Sequence, residues 1–184
     1  MSAPWRQTYT GIAVDMTAPD PRTIMLEDIA QSLTLQCRYT GHLGEPYSVA
    51  QHSVLATWYA EKDGHPPGVL RGILMHDAHE AYTGDIATPL KRRLEAIRPG
   101  IVHEVEAPFD AAIAERFDIR WDRPAIKLYD LRMLATEKRD LVQHEVKPWD
   151  IPEEITPFGT RIIPWDWRGA RAEFYGWCKK LGIQ

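Results

Sequence analysis

The chain has 184 residues, 44% of them apolar and 26% charged, which is the composition of an ordinary globular domain with enough apolar surface for one core. With 22 Lys and Arg against 26 Asp and Glu, its net charge of −4 has the wrong sign for a protein that coats a nucleic-acid polymer. No apolar run approaches a membrane span, the N-terminus lacks the basic and apolar regions of a leader, and the two cysteines, Cys37 and Cys178, have no zinc-type spacing. Cytoplasmic residence with reduced thiols is therefore expected, with no membrane partner.

Residues 1–25 carry Pro4, Gly11, Pro19 and Pro21 and read as a loop-rich arm with a short strand within 8–14. Leu26, Ile29, Ala30, Leu33 and Cys37 recur at helical spacing, which predicts a first core helix over 26–37, stopped by Gly41. Ser48 and Gln51 match a capping box and open a helix to about residue 61. After a Gly/Pro cluster at 64–68, Val69, Leu70, Ile73 and Leu74 define an apolar stripe reaching Tyr82. Thr88 before Pro89 predicts an N-cap and a short helix that ends before Pro99. Residues 101–117 read as helix kinked or divided by Pro108, and Asp122 with Pro124 announces a longer helix to about His144. The proline-rich stretch 146–167 is expected to be irregular, with one short strand at 161–163, and a last helix covers 168–181. The fold class is all-α: one domain over 1–184, a helical core at about 25–145 with the C-terminal segment packed on it, and minor β decoration.

Several ionisable residues fall on faces that this pattern assigns to the core. His52 shares a stripe with Val49, Leu55, Ala56 and Tyr59 and points inward. The face that begins with Val69 and Ile73 turns into His76, Asp77 and Glu80, and Asp130 shares a face with Ile126, Leu134 and Leu141, with Glu137 seven residues on. A bare buried carboxylate costs several kcal/mol, so such groups survive when paired or metal-bound. Two imidazoles and two carboxylates from three helices can neutralise a divalent cation, and this donor mix suits Mn, Fe, Co, Ni or Zn better than a thiolate-seeking ion. Lys91 lies in the first turn of its helix, where free amides favour an anion, and together with Arg38 it supplies local positive charge. His42 lies between Arg38 and His52 in sequence and is a further candidate for the pocket. Glu137 reads as a partner or support of the site, His79 as a packing or solvent residue, His65, His103 and His144 as surface, and Trp149, Trp165, Trp167 and Trp177 as a packing or subunit surface.

The pair His76-Asp77, preceded by His52 and followed by Asp130, with the run from Met75 through Glu80 and Asp85 to Lys91, resembles the HD-domain metal-dependent phosphohydrolase superfamily. Within it, the run is similar to the branch of bacterial 5′-deoxynucleotidases, prophage-encoded relatives and phage dATP triphosphohydrolases. The likeness covers about residues 25–142. It implies an HD-type helical bundle that holds one divalent metal ion (Mn, Co, Zn, Fe, Ni or Mg) on His52, His76, Asp77 and Asp130. It also implies catalytic or substrate-contacting roles for Glu80 and Asp85, a homo-oligomer, and a nucleotide or other small phosphate ester as partner. Arg38-Tyr39 stands where the deoxynucleotidases have Arg-Trp, which implies Arg38 on phosphate and Tyr39 beside the sugar. The function expected is hydrolysis of nucleotide phosphate esters, 5′-deoxynucleotidase-like, with triphosphohydrolysis and a non-catalytic nucleotide- or protein-binding module as alternatives. Oxidation at a di-iron centre would need further His ligands between Asp77 and Asp130, where only His79 and His103 stand.

Overall fold

The computed structural model describes residues 3–184. A hairpin of β1 (Trp5–Gln7) and β2 (Ala13–Asp15) leads into α1 (Leu26–Leu35), α2 (Val49–Lys62), α3 (Pro67–Met75) and α4 (Glu80–Thr83), followed by α5 (Thr88–Ile97), α6 (Ile101–Phe117), α7 (Arg123–Leu141) and α8 (Trp167–Lys180). The architecture is all-α with a single two-stranded antiparallel sheet among the described residues, Arg6 pairing with Val14. Among the described residues, no helix is long and apolar enough to cross a membrane.

The helix α2 lies at the centre, against α1, α3, α7 and α8. Its first six residues, Val49 to Val54, are all buried, His52 and Ser53 completely. A helix covered on nearly every side has no reason to be amphipathic, so its polar residues must find partners inside. Ser48 caps it, accepting from Gln51 N at 3.1 Å. The Gln51 side chain does not return the bond as a capping box would. It donates to Ile163 O at 2.8 Å and accepts from Trp165 N at 2.9 Å, fastening the C-terminal segment to α2.

Other departures from the sequence pattern have local causes. The strand expected within 8–14 is a turn at its start, closed by Thr8 N on Ile12 O at 2.9 Å, with Gly11 at φ +85°; only Ala13–Asp15 is strand. Thr88 is the first helical residue of α5 and caps nothing, Ala87 taking the cap position. Pro108 lies inside an undivided α6; the carbonyl it leaves unpaired belongs to exposed Glu104, where water can serve. Asp122 caps α7 as expected, accepting from Ala125 N at 3.1 Å, but the helix ends at Leu141.

No strand forms at 161–163. The backbone groups of this strap are taken by helix side chains instead of a neighbouring strand. Arg139 donates to Phe158 O at 2.6 Å and Thr160 O at 3.0 Å, Asp140 accepts from Ile162 N at 2.8 Å, and Thr136 accepts from Phe158 N at 2.9 Å. Phe158 then stacks on Tyr59 with ring centroids 3.7 Å apart. Burial opposes the charge on Asp140, but Arg139 at 2.6 Å and the Ile162 amide outweigh it and hold the carboxyl below 3.8. A depressed folded pKa contributes stability that is present above the unfolded pKa and is lost as pH falls through the folded one. Asp140→Asn should therefore cost about 1–3 kcal/mol at pH 7 and flatten the loss of stability below about pH 4. Urea denaturation between pH 2.5 and 7 measures both, and parallel curves for variant and wild type would contradict this role.

Candidate metal centre and pocket

The stripe expected to run unbroken to Tyr82 is interrupted after Met75. His76 to His79 form a tight turn, with Ala78 N on Met75 O at 2.9 Å and Glu80 N on Asp77 O at 3.0 Å, before α4 begins. In a turn of three residues, positions i and i+3 eclipse. Asp77 and Glu80 thus share an edge, and both line the same cavity of about 650 Å³. Gly84, at φ +88°, closes α4 with its amide on Glu80 O at 2.8 Å and turns the chain toward Asp85, which lines the cavity too.

Three segments converge at the buried side of this cavity. His52 on α2, His76 and Asp130 on α7 each place one donor atom within 4.8 Å of the others. The Nε2 atoms of the two imidazoles are 3.3 Å apart, and Asp130 Oδ1 is 3.6 Å from that of His52. Asp77 Oδ2 lies 3.1 Å from His76 Nε2 and 3.8 Å from His52 Nε2. Both imidazoles are oriented from behind. His76 Nδ1 is 2.7 Å from Ile73 O and His52 Nδ1 is 2.6 Å from Glu137 Oε1. A carbonyl and an ionised carboxylate only accept, so each Nδ1 carries a proton and Nε2 is the nitrogen of each ring that faces the other and could ligate an ion. Two imidazole nitrogens facing each other with carboxylates beside them are a donor set that suits a borderline divalent metal. His52, His76 and Asp130 fit such an ion, with Asp77 beside His76.

Electrostatics agree with that geometry. Burial disfavours an imidazolium at His76, but Asp77 beside it, and Asp130 further off, override this and raise it to about 9. Burial likewise opposes charge on Asp77, yet His76 foremost and then His52 and Arg38 hold it well below the usual carboxylate range. Glu137 is fully buried; Arg38 and His52 outweigh its burial and keep it ionised, at about 2. Glu80 behaves oppositely. Burial, then the charges of Asp77 and Asp85, push it up to about 9, and its Oε2 has no hydrogen-bond partner.

The cavity wall also contains Arg38, Tyr39, His42 and Lys91, so the candidate ligand, catalytic and substrate residues read from the sequence lie at this one place, His52 and His76 behind the wall. Their states differ. The Arg38 guanidinium is 3.3 Å from Glu137 and 3.5 Å from Asp77, whereas Lys91 is held by Glu106 at 2.9 Å and His42 is exposed. His79 is buried away from the metal donors, 3.1 Å from Asp110 and 3.7 Å from Glu106. Tyr39 and Thr40 sit in the left-handed region at φ +58° and +54°, a conformation that costs non-glycine residues about 1–2 kcal/mol each. The Tyr39 hydroxyl donates to Glu137 and holds this turn in place.

Two contributors escape sequence reasoning. Trp149 lines the cavity with its ring 5.7 Å from that of Tyr39, where the sequence reads as packing or subunit surface. Gln36, just past α1, donates to Glu80 O at 2.9 Å and Ser32 Oγ at 2.8 Å, and accepts from Asp85 N at 2.8 Å. Its partners are 44 and 49 residues away, so no local pattern announces it.

The class of molecule so defined is a helical protein with a buried His/Asp cluster behind an acid-lined pocket. No family model matches the chain. It is 41% identical over 134 residues to the uncharacterized protein YfdR of Escherichia coli K12, a match covering 72% of this chain and 69% of that protein. It is 34% identical over 131 residues to an uncharacterized protein of Rhodobacter capsulatus, covering 68% of this chain and 64% of the relative. The chain belongs to the same family as YfdR.

Replacing Gln36 by Leu keeps its bulk but strands the Asp85 amide and takes one of two donors from the Glu80 carbonyl, which keeps the Gly84 amide. A loss of about 1–3 kcal/mol is expected, which lowers the Tm by about 2–4 °C for each kcal/mol in a chain of this size. An unchanged melting curve would show that the clip carries no weight.

Proposed function

We propose that the chain is a metal-dependent phosphohydrolase of nucleotides, of the HD-domain type, with 5′-deoxynucleotidase-like activity. The observation that supports this reading is the convergence of His52, His76, Asp77 and Asp130 beside a buried Glu80 whose carboxyl oxygen has no partner. When bound, a divalent cation supplies Lewis-acid charge that lowers the pKa of water and offsets charge on a transferring phosphoryl group. Glu137 and the Ile73 carbonyl orient the two imidazoles to hold it. Arg38, next to Asp77, offers charge-assisted hydrogen bonds to the phosphate. Water attacks phosphorus as the ester P–O bond breaks; Glu80, whose burial favours the protonated carboxyl, gives its proton to the departing sugar oxygen and recovers one from the attacking water. Asp85 takes a sugar hydroxyl, and Tyr39 borders the sugar. Lys91 and Arg92 on the same wall favour, as the second reading, a triphosphate whose longer chain they would contact.

Metal analysis of the purified protein should find about one divalent ion per chain bound to His52, His76, Asp77 and Asp130, and Asp77→Ala should lose it while keeping its helical circular dichroism. Full occupancy in the folded variant would sink the ligand assignment. Glu80→Gln keeps shape but removes the titrating group, so turnover should fall by roughly 10²-fold or more with metal retained; near-normal turnover would remove Glu80 from this role. A screen of nucleoside mono- and triphosphates with Mg, Mn, Co and Zn reads the product: inorganic phosphate marks the nucleotidase, tripolyphosphate the second reading. Hydrolysis of none of them would leave a nucleotide- or protein-binding module.

A further inference from the structure

We infer that Trp149, set against Tyr39, forms the subsite for a flat aromatic ring, which is the nucleobase under the function proposed above, on which this inference rests. Trp149 is not a core residue: Trp58, Trp121, Trp165 and Trp177 belong to or pack on the apolar core, and Trp149 does not. It stands on the cavity wall in a segment whose neighbours Pro148 and Asp150 are exposed. A part-buried indole outside the apolar core and on the cavity wall is a surface on which a planar ligand can stack.

The pair's geometry says how that partner would lie. The ring centroids of Tyr39 and Trp149 are 5.7 Å apart and the planes are inclined at 45°, which leaves no gap for a third ring between them. They form a corner instead, and a planar ligand stacks on the indole face within it. One side of the corner is rigid, because the Tyr39 hydroxyl is bound to Glu137, the carboxylate that also holds His52. That bond ties the corner to the polar end of the cavity, so a ligand with its phosphate near Arg38 and Asp77 extends its ring toward Trp149. The other side is adjustable, since its segment reaches α5 through the exposed pair Asp150–Arg92 at 2.8 Å, a kind of contact that is weak and easily opened. A cavity of about 650 Å³ is the size that encloses a ligand of a few hundred daltons.

The test uses free nucleosides, which have no phosphate to lose. Calorimetric titration of the metal-loaded protein should show binding of 2′-deoxyadenosine and thymidine but not of 2-deoxyribose at the same concentration. Trp149→Ala should weaken nucleoside binding about tenfold, and Trp149→Phe should keep it within about threefold of wild type, with all three proteins melting alike. Equal nucleoside affinity in the Ala variant, or wild-type binding that ignores the base, overturns the subsite. The two readings fail separately. Base-dependent binding without phosphate release from any nucleotide leaves the subsite and removes the hydrolase. Conversely, if 2-deoxyribose 5-phosphate is turned over as well as nucleotides are, and Trp149→Ala changes neither, the hydrolase stands and the subsite goes.

Discussion

Glu137 is the constraint around which the site is arranged. Its carboxylate is completely buried, and a buried charge without partners costs several kcal/mol. It is stabilised by His52 from α2 and by Arg38 and Tyr39 from the turn after α1. The α1–α2 connection must therefore lie over α7, and the left-handed backbone at Tyr39 and Thr40 is the strained path that takes it there. Such strain persists where surrounding contacts over-determine it. Here one carboxylate orients an imidazole, anchors a guanidinium and fixes an aromatic ring of the cavity wall.

A second consequence is the separation of charge states within a few ångströms. Asp77 is kept ionised by His76, His52 and Arg38, whereas Glu80, buried beside Asp77 and Asp85 and lacking a cationic contact at Oε2, is kept neutral. Two carboxyls whose environments drive them apart can take different chemical roles. The same local excess of carboxylate raises His76, and under the proposed function the proton it attracts is what a metal ion would have to displace.

The strap that follows α7 shows how helices fix a segment with no regular structure of its own. Gln51, Thr136, Arg139 and Asp140 satisfy its backbone groups by side chain, so it needs no strand partner. Before the strap reaches those fastenings it passes the cavity at Trp149. The C-terminal part of the chain thus completes a wall that the first 142 residues leave open.

By itself the sequence determined the all-α class, most helix spans, the caps at Ser48 and Asp122, and the inward direction of His52, His76, Asp77, Glu80, Asp130 and Glu137. Each of these is a statement about neighbours three or four residues apart, and helical periodicity is local. Tertiary structure alone decided the break in the helix after Met75, the placement of Lys91 against Glu106, the diversion of Gln51 from its cap to the strap, the Gln36 clip and the arrival of Trp149 beside Tyr39. Except for that local break, these features join side chains to partners 15 to 114 residues away, and a polar or aromatic side chain takes whichever partner the packed helices bring within reach. Spacing along one helix records which way a residue points, but not what it meets there.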